Sequence, residues 1–501
     1  MKTRIHPIIF PLLFYITLCG CKSEDSKLNK TEKPNILFIL ADDQRYNTIN
    51  ALGEKQILTP NVDRLVEAGT SFTNCYIAGA PHGAVCSPSR AMLMTGRYYW
   101  NLPTTLHSNW APEVNPTNTG DCEYITLPEI LKQNGYHTFA TGKQHNGKKI
   151  IERGFDQGRG LFLGGMSTHF GLKMKDYTRK EGWSKTYTDK QFSTEIFSEN
   201  TIAFIEDYKV DKPFFIYMSL TSPHDPRTAP QEYHDRLNKR VLDLPANFMP
   251  SHAFPIGDMQ IRDERLAEFP RTPTEIKKHI ADYYAMIEAN DYYIGTVLDA
   301  LKKSGKYENT IIIFTSDNGL AVGQHGLLGK QNVYEHSIKV PMVLSGPGIR
   351  KSVTNNALIY LHDPLPTICD LTQSEIPSTV ETKSFEPLLK NPHAKTRNAL
   401  HFAYSTWRSE KVDGELAPRG AHRAIRKGDF KLILSLYKGV ITEQLFNLDL
   451  DPLEINNLIL EPKYEVLVED LKNELNLKIA LTGDYVELDQ SDWGFKLNGK
   501  K

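Results

Sequence analysis

The chain has almost no net charge: 59 Lys and Arg stand against 60 Asp and Glu in 501 residues. A balance this even supplies no global positive field to hold a nucleic-acid backbone or an anionic bilayer, so an anion has to be recognised locally. Cysteine is scarce too, six in all, with no CxxC pair of the kind that builds a zinc site. A single disulfide among Cys75, Cys122 and Cys369 is left open by their positions. The longest early apolar run, Ile8 to Leu18, falls short of the roughly 20 residues that a membrane-crossing helix needs. There is no internal repeat, low-complexity tract or heptad series, which excludes a solenoid or coiled-coil scaffold. What is present is material for a large soluble core, with 40% hydrophobic, 24% charged and 10% aromatic residues. At about 150 residues per domain the length admits three domains, or one large α/β domain with an appended subdomain.

The N-terminus reads as targeting. Lys2 and Arg4 precede the Ile8 to Leu18 run, and Leu18-Cys19-Gly20-Cys21 follows, resembling a bacterial lipoprotein signal with its lipobox. Residues 1–20 are then a signal peptide, and 21–33 a polar tether on a lipidated Cys21. Lys22-Ser23-Glu24-Asp25 resembles an acidic surface-export signal, so the expected location is the outer membrane, on its periplasmic face or at the cell surface.

Asn35 to Leu40, His137 to Thr141, Phe214 to Leu220, Ile311 to Thr315 and Val340 to Ser345 read as buried parallel strands, because each is short, apolar and rich in β-branched or aromatic residues. Helical patterns lie between them, opened by Thr59-Pro60, Leu127-Pro128 and Thr272-Pro273. Alternating strands and helices predict an α/β domain over residues 34–385, a large mixed, mostly parallel sheet with helices on both faces. After a Pro-containing stretch the texture changes: short strand-like pieces and one helix, Tyr464 to Leu475, predict a small antiparallel-sheet subdomain over 393–485, with 486–501 as a tail.

In such a sheet the ligand crevice lies beyond the carboxyl ends of the strands. Asp42 and Asp43 follow the first strand, Lys143 and His145 the second, His224 the third, Asp317 and Asn318 the fourth. Each alone is an ordinary turn or cap residue, but their coincidence at one sheet end predicts a site. Asp42, Asp43, Asp317 and Asn318 offer only oxygen, which selects a hard cation, Ca2+ or Mg2+, with zinc as the alternative if nearby histidines join. A second cluster is Cys86-Ser87-Pro88-Ser89-Arg90, on a short helix ending at Gly96, with Arg90 one turn from Cys86. A helix N-terminus and an adjacent Arg depress a thiol pKa, so a nucleophilic cysteine is one reading and an inert buried thiol another.

These residues carry a resemblance to the type I, formylglycine-dependent sulfatases of the alkaline phosphatase superfamily, in the iduronate-sulfatase-like branch of bacterial polysaccharide sulfatases. The motif from Cys86 to Arg90, with Thr95-Gly96-Arg97, resembles the signature whose cysteine is oxidised to formylglycine. Asp42-Asp43-Gln44, Thr141-Gly142-Lys143 with His145, Ser222-Pro223-His224-Asp225, Ser316-Asp317-Asn318-Gly319 and Gly329-Lys330 match further blocks in order. Gln144 departs from the family, which often has an aromatic residue there.

The resemblance implies a sulfuric ester hydrolase acting on a sulfated oligosaccharide or polysaccharide, of the ulvan or glycosaminoglycan kind. It implies Asp42, Asp43, Asp317, Asn318 and the converted Cys86 as metal ligands and formylglycine, as its hydrate, as nucleophile. It gives Arg90, Lys143 and Lys330 to the anion, His224 to protonation of the leaving alcohol and His145 to the oxygen whose proton leaves when sulfate is expelled. It also implies a formylglycine-generating or sulfatase-maturing partner enzyme, and no nucleic acid. Arg97 is expected in a structural ion pair, while His82, Arg227, His325, Trp407 and Arg408 are candidates to line the pocket. The alternatives are a phosphonate or phosphate monoester hydrolase on the same scaffold, and a non-catalytic sugar-binding lipoprotein if Cys86 stays unoxidised.

Overall fold

Apart from Asn35, the Asn35–Ala41 strand is wholly apolar, and all seven residues are buried. A strand buried on both faces belongs in the middle of a sheet covered on both sides. The computed structural model, which describes residues 33–81, 83–103, 106, 123–257, 259–412 and 415–494 and gives only the backbone for the described part of 406–419, has it there. It lies parallel to Thr310–Ser316 on one side and Phe214–Ser219 on the other, and His137–Lys143 and Gln157–Phe162 continue the parallel run. Ile36, Phe38 and Leu40 pack with Ala91, Met92, Leu131, Ile151 and Leu365 from helices on one face. Leu37 and Ile39 point the other way, onto Val62, Phe197, Phe204 and Ile294 from the helices Pro60–Ala68, Ser193–Asp207 and Pro273–Lys303. The sheet is twelve-stranded and mixed, with helices on both faces.

One strand departs from expectation. Lys339–Ser345, read as parallel, is antiparallel to Thr310–Ser316 and also to Gly69–Tyr76. A parallel return needs a crossover that covers a face of the sheet. The chain between Ser316 and Lys339 instead folds over the sheet's end, with a single four-residue helix, Glu335–Ile338. Gly69–Tyr76 itself escapes sequence reading because Thr70, Ser71, Thr73 and Asn74 break its apolar pattern.

A second sheet holds Ala399–Val412, Glu415–Lys427, Phe430–Tyr437 and Val440–Asn447, all antiparallel. Its fifth strand is Gly79–Ala80, parallel to Ala399–Val412, which ties the segment just before Cys86 to this sheet. The helix Glu465–Thr482 lies on it through Val468, Leu471, Leu475 and Ile479, running past the expected Leu475 to end at Gly483 in the left-handed region. Cys75 and Cys369 are buried free thiols. The signal segment, Cys21, His82 and Cys122 lie outside the described residues, as do the side chains of Trp407 and Arg408. No helix among the described residues is long and apolar enough to cross a membrane.

Several histidines are buried neutral, and this makes the fold acid-sensitive. Burial holds His169 at about 4 and both His362 and His422 at about 3, against about 6.5 in an unfolded chain. Each folded value is depressed for a base, so the unfolded state takes up protons first as pH falls. The histidine contribution to stability is therefore complete above about 6.5 and is lost as pH falls toward 3. Near pH 5 these three protons contribute about 4 kcal/mol per pH unit, offset in part by the buried carboxyls of Asp42 and Glu264, which burial raises to about 7 and which favour the folded chain in acid. Denaturant melts at pH 7.5, 6 and 5 should show this loss, and a flat profile would contradict it.

Candidate active site

The parallel strands ending at Ala41, Lys143, Ser219 and Ser316 deliver their loops to one edge of the sheet. Asp42, Asp43, Lys143, His224, Asp317 and Asn318 emerge there, all buried. Backbone hydrogen bonds lock the loops together: Asp42 N donates to Ser222 O at 3.3 Å and Asp317 N to Ala41 O at 3.1 Å. Asp43 adopts φ +68°, a left-handed conformation that costs a non-glycine residue roughly 1–2 kcal/mol. Its surroundings hold it there, since its N–H donates to Asp317 Oδ1 at 3.1 Å and its carbonyl accepts from the Tyr283 hydroxyl at 2.7 Å. Gly142, at φ +88°, has no room for a side chain, as a Cβ would fall 1.8 Å from Ser219 O. The two strands thus run close together immediately before Lys143.

The helix Cys86–Thr95 is buried along its whole length and starts at this edge. Arg90, one turn in, donates from Nε to Asp317 Oδ2 at 2.7 Å and from Nη1 to Lys143 O at 3.1 Å, with a further bond to Ser219 Oγ. Lys143 Nζ meets Asp42 Oδ2 at 2.5 Å. Lys330 Nζ meets Asp43 Oδ1 at 2.5 Å and lies 3.0 Å from Cys86 Sγ. Three carboxylates thus face three cations, with Arg90 Nη2 also 3.8 Å from Asp42 Oδ1, and the cluster is formally neutral around the cysteine.

Three of its oxygens are nevertheless left over. Asp42 Oδ1, Asp43 Oδ2 and Asn318 Oδ1 are buried without a hydrogen-bond partner, a condition that costs roughly 1–3 kcal/mol per group unless something else binds there. The carboxyl groups respond to the crowding. Burial, opposed by Lys143 and reinforced by Asp317 and Asp43, pushes Asp42 up to about 7. Burial also acts to raise Asp43 and Asp317, but Lys330 and Lys143 outweigh it at Asp43, and Arg90 and Lys143 at Asp317, so both stay below the usual carboxylate range. Hard oxygens without partners, on neighbouring loops and carried largely by carboxylates, fit a divalent cation of the calcium or magnesium type. Asp42, Asp43, Cys86 and His224 each bring a ligand atom within 4.8 Å of the others. Asp317 borders this group with both oxygens engaged, by Arg90 and by Asp43 N–H.

The surroundings of the thiol bear on the two readings that the sequence left open for it. Burial pushes Cys86 well above its usual value, and Lys143 and Lys330 do not offset it. Of the two readings of an unconverted Cys86, burial favours the inert thiol over the thiolate nucleophile, because desolvation acts more strongly than the local positive field.

Two histidines face the cluster. His224 donates from Nδ1 to Asp225 O at 2.7 Å, which leaves Nε2 free, 3.7 Å from Asp43 Oδ2. His145 is half-buried at φ +53° with Nδ1 unpartnered, and the backbone of Gly165 covers its ring. Burial, then neighbouring cations, holds both well below the usual histidine value. Arg97 forms its ion pair with Glu381 at 3.2 Å. Arg227 and His325 do not join the cluster: Arg227 bonds His279 at 2.8 Å, while His325 reaches Leu453 O at 3.1 Å and stacks on Tyr334.

Sequence reading missed several supports. His169 holds His224 O at 2.7 Å, and Arg262 forks onto Asp225, with Nη2 at 3.0 Å from Oδ1. Neither lies in a periodic or turn-like pattern. Tyr283, inside the long helix, was not singled out either.

The sulfatase family model matches residues 34–374, and a model for the C-terminal part of N-sulphoglucosamine sulphohydrolase matches 323–480. An N-acetylglucosamine-6-O-sulfatase of Bacteroides thetaiotaomicron is 28% identical, over 93% of this chain and 89% of its own. An ulvan-active sulfatase of Formosa agariphila is 30% identical, over 96% and 88%. A solved structure of a complex with D-glucosamine-2-N,6-O-disulfate has the same fold, with a TM-score of 0.72 at 24% identity over 92% of this chain and 100% of that one. With both its sequence blocks and its architecture accounted for in this way, the chain belongs to the sulfatase family, a sulfuric ester hydrolase.

Proposed function

We propose that this sulfatase removes an O-sulfate group from a sulfated carbohydrate and releases inorganic sulfate during breakdown of a sulfated polysaccharide. The observation that carries the reading is the ring of three carboxylates and three cations around Cys86, with oxygens of Asp42, Asp43 and Asn318 unpartnered. A neutral ring gains two positive charges with a divalent cation, and a centre of that charge suits an anionic ester. The carbohydrate is argued from relatives named for N-acetylglucosamine 6-O-sulfate and for ulvan, so glycosaminoglycan fragments and ulvan-type algal chains are the substrate classes.

Asp42, Asp43, Asp317, Asn318 and residue 86 would hold the cation, Ca2+ or Mg2+, which when bound polarises sulfate oxygens and supports a deprotonated nucleophile. Converted to formylglycine, residue 86 supplies a hydrated aldehyde as nucleophile. Lys330, 3.0 Å from Cys86 Sγ, is within reach of oxygens on a sulfur next to residue 86, and Lys143, held on Asp42, is assigned to the same anion; both trade a carboxylate partner for the substrate. Arg90, tied to Asp317 and to Lys143 O, orients both. His224 presents Nε2 to the leaving oxygen; an anionic ester beside it raises its proton affinity, so it can protonate a sugar alkoxide. His145, held neutral with Nδ1 unpartnered, accepts the proton of the residue 86 hydroxyl as sulfate departs.

Cys86, Ser87, Ser89 and Arg90 are buried to within 2% of complete. A maturation enzyme has no access to them in the folded chain, so conversion precedes folding. The lipobox at Cys21 supports an exported lipoprotein of the outer membrane, attached only through its lipid.

The test compares wild-type and His224→Ala enzyme, both with residue 86 converted, on N-acetylglucosamine 6-sulfate, its 6-phosphate analogue and an aryl sulfate. The sulfate should far outrun the phosphate. The variant should lose about 10²- to 10⁴-fold on the sugar sulfate and much less on the aryl sulfate, whose leaving group needs no proton. A faster phosphate would make it a phosphomonoester hydrolase, and equal losses would remove His224 as the acid.

A further inference from the structure

The turn that presents Lys330 has no regular secondary structure of its own, yet the lysine must project into the cluster with its ammonium within 3.0 Å of Cys86 Sγ. What holds the turn lies about 65 residues earlier in the chain. Glu264, buried, accepts the Gly329 N–H at Oε1 over 2.8 Å, and the Leu328 N–H lies 3.1 Å from both its oxygens. Its other bond is to Arg271, whose Nη2 donates to Glu264 Oε2 at 2.6 Å and to Glu264 O at 2.8 Å. Arg271 is buried as well, and its Nε also reaches Gly326 O at 3.5 Å, so one guanidinium grips both sides of the contact.

The next amide is caught too. Lys330 N–H donates to Gln331 Oε1 at 2.9 Å, and Gln331 Nε2 donates to Asp263 Oδ2 at 2.7 Å and Gly83 O at 3.1 Å. Three consecutive amides, of Leu328, Gly329 and Lys330, are thus received by acceptors that Glu264 or Asp263 supplies or anchors. Gly329 allows this closeness, since a Cβ there would lie 2.3 Å from Gln331 Oε1 and 2.9 Å from Glu264 Oε1 and would displace both side-chain ends. On the same segment Arg262 reaches Asp225, the neighbour of His224. Burying Glu264 is expensive: desolvation drives its carboxyl up to about 7 even beside Arg271. Two backbone donors and a buried guanidinium to orient one turn are what that cost secures.

We propose that Glu264 is a positioning residue for sulfate recognition, its carboxylate fixing the Leu328–Lys330 turn so that the Lys330 ammonium meets the substrate anion. This rests on the reading of Lys330 as a sulfate-binding cation, and the experiment separates the two. Glu264→Gln, Lys330→Ala and the double variant, each with residue 86 converted, are assayed on 4-nitrophenyl sulfate with inorganic sulfate as competing inhibitor. Glu264→Gln keeps the shape but turns an amide nitrogen toward either Arg271 or the turn. It should raise KM and the sulfate inhibition constant by about 10-fold or more, with kcat changed less. In the Lys330→Ala background the same change should have less than about a twofold further effect, because residues acting through one another are non-additive. Equal losses in both backgrounds, or an unchanged KM in Glu264→Gln, overturn the assignment of Glu264 while leaving Lys330 in place. A Lys330→Ala enzyme with normal KM and sulfate inhibition overturns the reading of Lys330 and the proposal with it. Glu264→Asp, one methylene shorter, replaces Glu264→Gln in the cycle if the latter does not fold, with the same outcomes.

Discussion

Protein carrying Cys86→Ala is expected to lose turnover by about 10⁴-fold or more, the scale seen when a nucleophile is removed, and to melt within about 5 °C of the wild type. Cys86→Ser should be as inactive unless the host converts serine as well. The reason lies in the surroundings of the side chain. Burial drives the Cys86 thiol well above its ordinary range, and although Lys143 and Lys330 pull the other way, Asp42 and Asp317 reinforce the rise. A thiol that stays protonated is a weak nucleophile, so wild-type chain made without a maturation partner should be inactive too. Mass spectrometry of the Cys86 peptide alongside the rate measurement checks this. Activity that tracks the unconverted thiol would overturn it.

Stripping divalent cations is expected to abolish activity and to lower the melting temperature, with both restored by Ca2+. Without a cation, the Lys143–Asp42 and Lys330–Asp43 contacts of 2.5 Å keep the two lysines on carboxylates. The unpartnered oxygens of Asp42, Asp43 and Asn318 then remain buried and unsatisfied. A cation binding these oxygens only in the folded state adds about 2.7 kcal/mol at a hundredfold excess over its Kd, so the midpoint must rise with calcium concentration. Asp43→Asn should weaken that dependence, because it removes a charge from the centre while preserving its shape. Full activity in metal-free protein, verified by elemental analysis, would contradict this.

The central strands were legible because a parallel strand covered on both sides is a short unbroken apolar run, as in Asn35–Ala41 and Thr310–Ser316. The long helix announced its start through Thr272-Pro273, and Thr272 Oγ1 does accept the Glu275 N–H, at 3.3 Å. The doublets Asp42-Asp43 and Asp317-Asn318 could be paired across 275 positions only because parallel strands put their following loops on one edge. Direction was harder to read: Lys339–Ser345 is as apolar as its neighbours, and its antiparallel course depends on the path of the loop before it. The state of the thiol was left open for a different reason. Helix end and arginine are local and visible, whereas burial is a property of the whole fold. Glu264, Arg262 and His169 act through single contacts between irregular segments, which leave no period to detect.

The most direct measurement is the anomalous scattering of crystals grown with calcium. A single peak about 2.3–2.6 Å from oxygens of Asp42, Asp43, Asp317 and Asn318, adjoining residue 86, is the predicted result. Fully active crystals with no peak there, or with the ion bound elsewhere, would contradict the account.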